Sequence, residues 1–310
     1  MKILVIGKHN LMNWPETVYS VLSASHDCRL LIANKFSLAS YLLPRKGRYW
    51  CRAHSMAKQI AAFQPDIIFC ISPFLLPFSL LKTCRAASSA RFVGWVADNF
   101  ASTDERAPLF DALFCTDTGF LPQALEICPS FYLPLCANTD IFYPGSEPAT
   151  EAPFFVGQAN KKRIRYLKRS KTPCLIYGKG WDKQALSQHQ VHNTKLSLQE
   201  AAIHVQKSTC PFSMAFSSNN VNGLNFRVFE LGAAKKVILT NYSNDLERCY
   251  HIGTEALTYK NPAELSCLVS RITHNPAKYE KIAQAGYERT LRDHTYQRRL
   301  QQWLDIMQKL

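Results

Sequence analysis

Short, uninterrupted apolar runs recur along the chain, separated by stretches in which apolar residues return every third or fourth position. In the first half the runs are Ile3-Leu4-Val5-Ile6, Leu30-Leu31-Ile32-Ala33, Ile67-Ile68-Phe69-Cys70-Ile71, Arg91 to Val96, Ala112 to Cys115, and Ser130 to Leu133. In the second half they are Phe154-Phe155-Val156, Cys174-Leu175-Ile176-Tyr177, Pro211 to Phe216, and Val237 to Thr240. A run with no polar alternation predicts a strand covered on both faces, and strands alternating with helices predict a parallel sheet. Helix starts are marked by Pro15, by the capping box Ser197-Leu198-Gln199-Glu200, and by Asn261-Pro262. Further helical periods run from His54 to Phe63, from Arg227, from Tyr279, and from Asp293.

Between Pro134 and Pro153 the period fails, and Pro144-Gly145-Ser146 and Pro148 mark a linker. The expected organisation is α/β: two Rossmann-like, doubly wound parallel-sheet domains, 1–150 and 151–310, facing a central cleft. Ligands of open parallel sheets bind at the carboxyl ends of the strands. The last helix carries Tyr296, Leu300, Trp303, Leu304 and Met307 as a docking stripe, suited to packing back on the N-terminal domain.

Composition narrows this further. The chain has 310 residues, 47% of them hydrophobic, which places it with globular proteins of two domains. No apolar run is long enough for a bilayer span or a signal-peptide core. Eleven cysteines, an odd number with no C-x-x-C pair, fit reduced thiols in a cytoplasmic protein. The net charge of +14 points to phosphorylated ligands or an anionic surface. Part of it lies in Lys161, Lys162, Arg163, Arg165, Lys168, Arg169 and Lys171, with no acidic residue among them. That block suits a phosphate ligand or peripheral contact with an anionic membrane, or is a solvated helix face. Nucleic acid ranks lower, because no zinc-finger, RNP or KH signature accompanies the charge.

The candidate chemistry centres on Asn225-Phe226-Arg227-Val228-Phe229-Glu230, where a polar, glycine-containing loop opens a short helix. A helix N-terminus offers N–H groups and a positive dipole end to an anion. Arg227 and Glu230 share a helical face; the arginine can grip a diphosphate and the carboxylate can accept ribose hydroxyls, or the two form a plain ion pair. Gly157 and Gly178 end strands, as close-approach positions or ordinary turn glycines. Lys179 and Trp181 flank a nucleotide or pack a loop. Asp98, just past a strand, is a candidate base for an acceptor hydroxyl or a loop cap, and His9 is a second candidate base. The sequence has no D-x-D triplet, and His189 with His192 lacks further ligands, so no metal site is expected.

The second half resembles the GT-B glycosyltransferases of the CgeB-like, group 1 branch. The residues that carry the likeness are Phe155-Val156-Gly157 with Arg163, Tyr177-Gly178-Lys179-Gly180-Trp181, Asn225 to Glu230, Gly253-Thr254-Glu255, and His294-Thr295-Tyr296 with Arg298. The first half is similar through Gly94 to Asp98, Phe110-Asp111, Leu133-Pro134 with Asp140, and Phe142-Tyr143-Pro144. The resemblance implies a nucleotide-diphosphate sugar as co-substrate, bound by the C-terminal domain through Gly157, Arg163, Gly178, Lys179, Trp181, Asn225, Arg227 and Glu230. It implies a glycan, lipid-linked or protein acceptor in the N-terminal domain, and no metal or other cofactor. Related retaining enzymes carry a second glutamate eight residues before the one matched by Glu230, and Asn222 stands there. Other classes left open are a nucleotide-binding relic of the fold, a basic nucleic-acid binder, and an epimerase or hydrolase of nucleotide-sugars.

Overall fold

The computed structural model describes residues 1–182, 184–216 and 220–310, with Gln184 described in its backbone alone. Asn219, at the head of the predicted glycine-containing loop, lies outside the described residues. By its internal contacts the chain forms two units. The first holds Met1–Pro134 together with Val221 and Leu300–Leu310, and the second holds the bulk of 135–299.

The first unit runs β1 (Lys2–Gly7), α1 (Trp14–Ser23), β2 (Asp27–Ile32), α2 (Arg45–Phe63), β3 (Ile67–Ile71), α3 (Phe78–Ala86), β4 (Arg91–Val96), β5 (Ala112–Cys115), α4 (Leu121–Leu125) and β6 (Ser130–Tyr132). Its six strands are all parallel, in the order β2-β1-β3-β4-β5-β6. The predicted runs become strands because alternate residues feed two cores. Leu4, Ile6, Ile68, Cys70, Phe92 and Val96 pack with Met56, Ile60 and Leu80 of α2 and α3. Phe69, Trp95 and Phe114 form the other face, where Trp303 stacks on Phe69 at 4.3 Å and Trp14 meets Trp95 edge-on at 4.9 Å. α2 begins nine residues before the His54 start that the apolar period predicts, since Arg45 to Arg52 form basic opening turns in which no residue is fully buried.

The second unit runs β7 (Phe154–Val156), α5 (Lys161–Lys168), β8 (Leu175–Tyr177), β9 (Gln190–His192), α6 (Leu198–Lys207), α7 (Phe226–Ala233), β10 (Ile238–Asn241), α8 (Leu246–Cys249), β11 (Ala256–Tyr259), α9 (Pro262–His274) and α10 (Glu280–Asp293). A last helix, α11 (Tyr296–Met307), begins in this unit and continues into the first. Ser197 and Glu200 form the predicted capping box, and Asn261 caps α9 through Glu264 N. Two parallel ladders result, β7-β8-β9 and β10-β11.

The run Pro211–Phe216, expected as a strand, is extended but makes no ladder. It bridges the two short sheets instead: Phe212 N donates to Phe154 O (3.0 Å) and Ser213 N to Leu239 O (2.8 Å). The reason is chemical. Pro211 has no N–H, the Tyr259 hydroxyl takes Ser213 O (2.6 Å), and the Arg163 guanidinium takes Met214 O (2.8 Å). Side chains thus occupy the carbonyls that a neighbouring strand would use. His189 falls in a bend and His192 on β9; His189 is buried between Cys174 N and Leu167 O.

Candidate functional site

α7 is positioned by glycines. A Cβ on Gly232 would overlap Thr290 Oγ1 of α10, and one on Gly286 of α10 would overlap Glu255 O. Gly232 thus lets α7 lie close against α10, while Gly286 lets α10 lie close against the turn before β11. Thr290 completes the contact by donating to Gly286 O (2.7 Å), and its Oγ1 also lies 2.9 Å from the Tyr250 hydroxyl.

At the other end of α7, Asn225 is the N-cap with extended backbone, yet its side chain does not cap the helix. Its Oδ1 accepts from Ser213 Oγ (3.1 Å). Arg227 and Glu230 lie one turn further on. Arg227 Nη1 is 2.6 Å from Glu230 Oε2, with side chains 14% and 4% exposed, and the guanidinium lies over the Phe142 ring at 5.6 Å. The ion pair is close but badly aligned: Arg227 Nε and Nη1 and Glu230 Oε2 are buried without a hydrogen-bond partner. Burial pushes the Glu230 carboxyl above its ordinary pKa, and the Arg227 charge only partly opposes this. A buried cation and carboxylate with open hydrogen-bonding capacity can receive a polar, anionic ligand.

The second group of residues gathers at the carboxyl ends of β7 and β8. Gly157 N donates to Tyr177 O (2.9 Å), and Trp181 Nε1 donates to Gly157 O (3.0 Å). Gly178 has φ +142°, and a Cβ there would collide with Gly157 O. Its missing side chain therefore serves backbone packing. Trp181 is buried, edge-on to Phe155, with its backbone held by Asn193 at 2.8 Å on both sides. Lys179 is exposed, and its carbonyl accepts from Ala159 N (2.9 Å).

Arg163 sits in the first turn of α5, which Asn160 caps by accepting from Arg163 N (2.9 Å). Its guanidinium donates to Gln158 O (2.7 Å) and twice to Met214 O (3.2 and 2.8 Å). Burial draws its pKa below the usual value. Lys161 and Lys162 of the same turn are exposed, the latter 4.2 Å over the Phe216 ring. Met214 and Ser213 thus connect the two groups, since Met214 O holds Arg163 and Ser213 Oγ holds Asn225. Sequence reading missed this link because the Met214 carbonyl has no residue signature and the Ser213 hydroxyl lies in a run read only as a strand. It also gave Phe142 no role, although the Phe142-Tyr143-Pro144 motif had marked the position.

His9 and Asp98 belong to the first unit. His9 follows β1, beside the β1/β3 point where the strand order reverses, the usual binding edge of such sheets. It is exposed, with Nδ1 2.6 Å from Glu16 Oε1 and its backbone N–H on Asn34 Oδ1 (2.8 Å). A carboxylate on Nδ1 fixes the tautomer that leaves Nε2 basic. Asp98 is half-buried in the turn after β4. β3 separates the two strands, so their ends lie about 10 Å apart.

His294, from the resembling motif, is buried. Arg299 Nη2 donates to its Nδ1 (2.8 Å), and its Nε2 meets Cys249 O (2.8 Å). Burial, reinforced by Arg299, brings its pKa down to about 3, which makes it a neutral structural linker. Among the described residues no group of three or more His, Cys, Asp or Glu side chains is placed to hold a metal ion.

Two units of parallel strands covered by helices, with strand ends and a short helix carrying the polar residues, define the GT-B class of fold. Residues 154–305 match a family described as glycosyl transferase-like. Solved structures share the fold across the whole chain. A glycosyltransferase from Rickettsia africae superposes with a TM-score of 0.71 at 12% identity, covering 99% of this chain and 98% of its own. A sucrose-phosphate synthase from Thermosynechococcus elongatus gives 0.71 at 10% identity, covering 100% and 98%. HepE of Anabaena, in complex with UDP and glucose, gives 0.65 at 10% identity, covering 100% of both chains. No curated protein matches the sequence.

Proposed function

We propose that this protein is a glycosyltransferase of the CgeB-like branch that moves a sugar from a nucleotide-diphosphate donor to a glycan, lipid-linked or protein acceptor. The observation that carries the reading is the buried Arg227–Glu230 pair with its unpartnered polar atoms at the start of α7. The match of 154–305 to a glycosyl transferase-like family supports it.

In this reading, departure of the nucleotide diphosphate places negative charge on phosphate oxygens, which Arg227 and the N-terminal dipole of α7 stabilise without a metal. Glu230 accepts the ribose hydroxyls. Arg163 fixes the α5 loop through its carbonyl bonds, and Gly157, Gly178, Lys179, Trp181 and Asn225 shape the rest of the donor site. On the acceptor side, His9 held by Glu16 or Asp98 takes the hydroxyl proton. The enzyme works in the cytoplasm, on envelope-type glycan intermediates at the inner membrane face.

One observation favours a second reading, a nucleotide-binding relic. Asn222, where a sugar-binding glutamate is expected, is engaged in a turn: its O accepts from Ser243 Oγ (2.7 Å) and its Oδ1 from Asn244 (2.9 Å). A thermal-shift screen of nucleotides and nucleotide-sugars, followed by turnover with the stabilising donor, separates the two. A ligand at a hundred times its Kd stabilises by about 2.7 kcal/mol. Stabilisation without turnover over a broad acceptor panel selects the relic, and no stabilisation by any nucleotide removes both readings.

A further inference from the structure

From Lys35 to Gln64 the chain holds no acidic residue, but it carries Lys35, Arg45, Lys46, Arg48, Arg52 and Lys58. The stretch opens with a single 3-10 turn, Leu38–Leu42, which leads through Leu43-Pro44 into α2. Leu38 is 92% exposed and Leu42 91%; Tyr41 and Leu43 are exposed next to Leu42 in the chain, and Trp50 is exposed on α2.

This exposure comes with order. Arg48 Nε donates to Leu43 O (2.9 Å), Nη2 donates to Tyr41 O (3.3 Å), and the guanidinium lies 4.9 Å over the Tyr41 ring. Phe36 meets Tyr41 and Tyr49 edge-on at 6.1 and 5.1 Å. The turn is fastened by Arg48 and by the Phe36 ring against its own Tyr41, while Leu38 and Leu42 remain exposed.

Clustered exposed apolar side chains on a built turn mark a contact surface. The occupant follows from charge: exposed leucines beside lysines and arginines, with no carboxylate from Lys35 to Gln64, suit an anionic bilayer, which takes apolar side chains between acyl chains and cations at its phosphates. Leucines for the acyl region, a tryptophan for the headgroup region and cations for the phosphates are the side-chain types that an anionic membrane surface takes up.

We propose that Leu38–Trp50 seats the protein on anionic lipid, with Leu38 and Leu42 inserted among acyl chains and Arg45 and Lys46 against headgroup phosphates. The proposal deepens the inner-membrane-face part of the proposed function and rests on residues other than the basic helix α5. It does not depend on the donor site, so its failure and the failure of the transferase reading are separable.

The test is co-sedimentation of the full chain, without donor, with phosphatidylcholine vesicles that contain or lack phosphatidylglycerol. Binding is expected only with phosphatidylglycerol, weakening as salt rises. Leu38→Ser with Leu42→Ser lowers the partition coefficient about tenfold or more, as removal of two inserted leucines requires. Arg45→Glu with Lys46→Glu lowers it comparably. Trp14, Trp95, Trp181 and Trp303 are buried, so Trp50 reports the contact: its emission shifts to the blue on vesicle addition, and Trp50→Phe abolishes the shift. Unfolding curves show that the variants fold. Equal vesicle binding by the wild type and the leucine variant overturns the proposal. So does absence of vesicle binding together with self-association in sedimentation velocity that the leucine variant abolishes, which assigns the surface to a second copy.

Discussion

Arg227 Nη1 and Glu230 Oε2 stand 2.6 Å apart, almost fully buried, at an angle that gives charge attraction without a hydrogen bond. Removing one partner of a buried pair strands the other charge, at a cost of about 3–5 kcal/mol. Arg227→Met should therefore destabilise strongly, while Arg227→Met with Glu230→Gln should recover most of that loss. Neither should recover turnover, which is expected to fall about a hundredfold or more when a donor of this kind is lost. Urea midpoints alongside donor consumption check both halves. A double variant with near-normal turnover would remove these residues from the site.

The contact between α7 and α10 gives a second expectation. In Gly232→Ala the new methyl overlaps Thr290 Oγ1, so α7 must shift and carry Arg227 and Glu230 with it. Stability should drop by about 1–3 kcal/mol, as overpacking costs, and donor affinity should drop too. Adding Thr290→Ala removes the overlapping oxygen, so the double variant should lose less donor affinity than additivity requires. Isothermal titration with the stabilising nucleotide measures this.

The pH dependence of stability follows from two buried groups with opposite signs. His294 is lowered to about 3. Its contribution is present above the ordinary histidine range and is lost as pH falls from there towards 3, by at most about 1.4 kcal/mol per pH unit. Glu230 is raised, so its contribution is present at low pH and is lost as pH rises through its elevated pKa. Between pH 7 and 5, His294→Gln should flatten the acid-side fall in urea midpoint, and Glu230→Gln should steepen it. If both variants keep the wild-type slope, these shifts do not govern the acid limb.

Gly178 and Gly180 form a matched pair for backbone strain. Both have positive φ, +142° and +82°, but a Cβ on Gly178 meets Gly157 O while one on Gly180 has only Ala159 Cβ nearby, at 3.6 Å. Gly180→Ala should cost about 1 kcal/mol, from the backbone conformation alone. Gly178→Ala should cost several times more and weaken nucleotide binding, because the ends of β7 and β8 must part. Comparable melting temperatures for the two would contradict this account.

The strands of the first sheet were legible because burial on both faces writes a continuous apolar run, as in Ile67–Ile71. β9 escaped notice because it lies at the edge of its sheet, and Gln190 and His192 break the run. The start of α2 was hidden for a related reason: its first turns point basic and aromatic residues into water, so no apolar period announces them. In the candidate site, the three-residue spacing of Arg227 and Glu230 was readable, since helical geometry follows directly from it. The Met214 carbonyl that holds Arg163 was not, because every residue has one and only the fold decides which side chain reaches it.

Trp303 lies flat against Phe69 in the first unit, although more than two hundred residues separate them along the chain. That sheet is thus left with one aromatic layer missing until residues 300–310 have left the ribosome. A nascent chain paused after Pro134 exposes the faces of Phe69 and Phe114 that Trp303 covers. The time that translation takes through the intervening stretch then sets how long they stay uncovered.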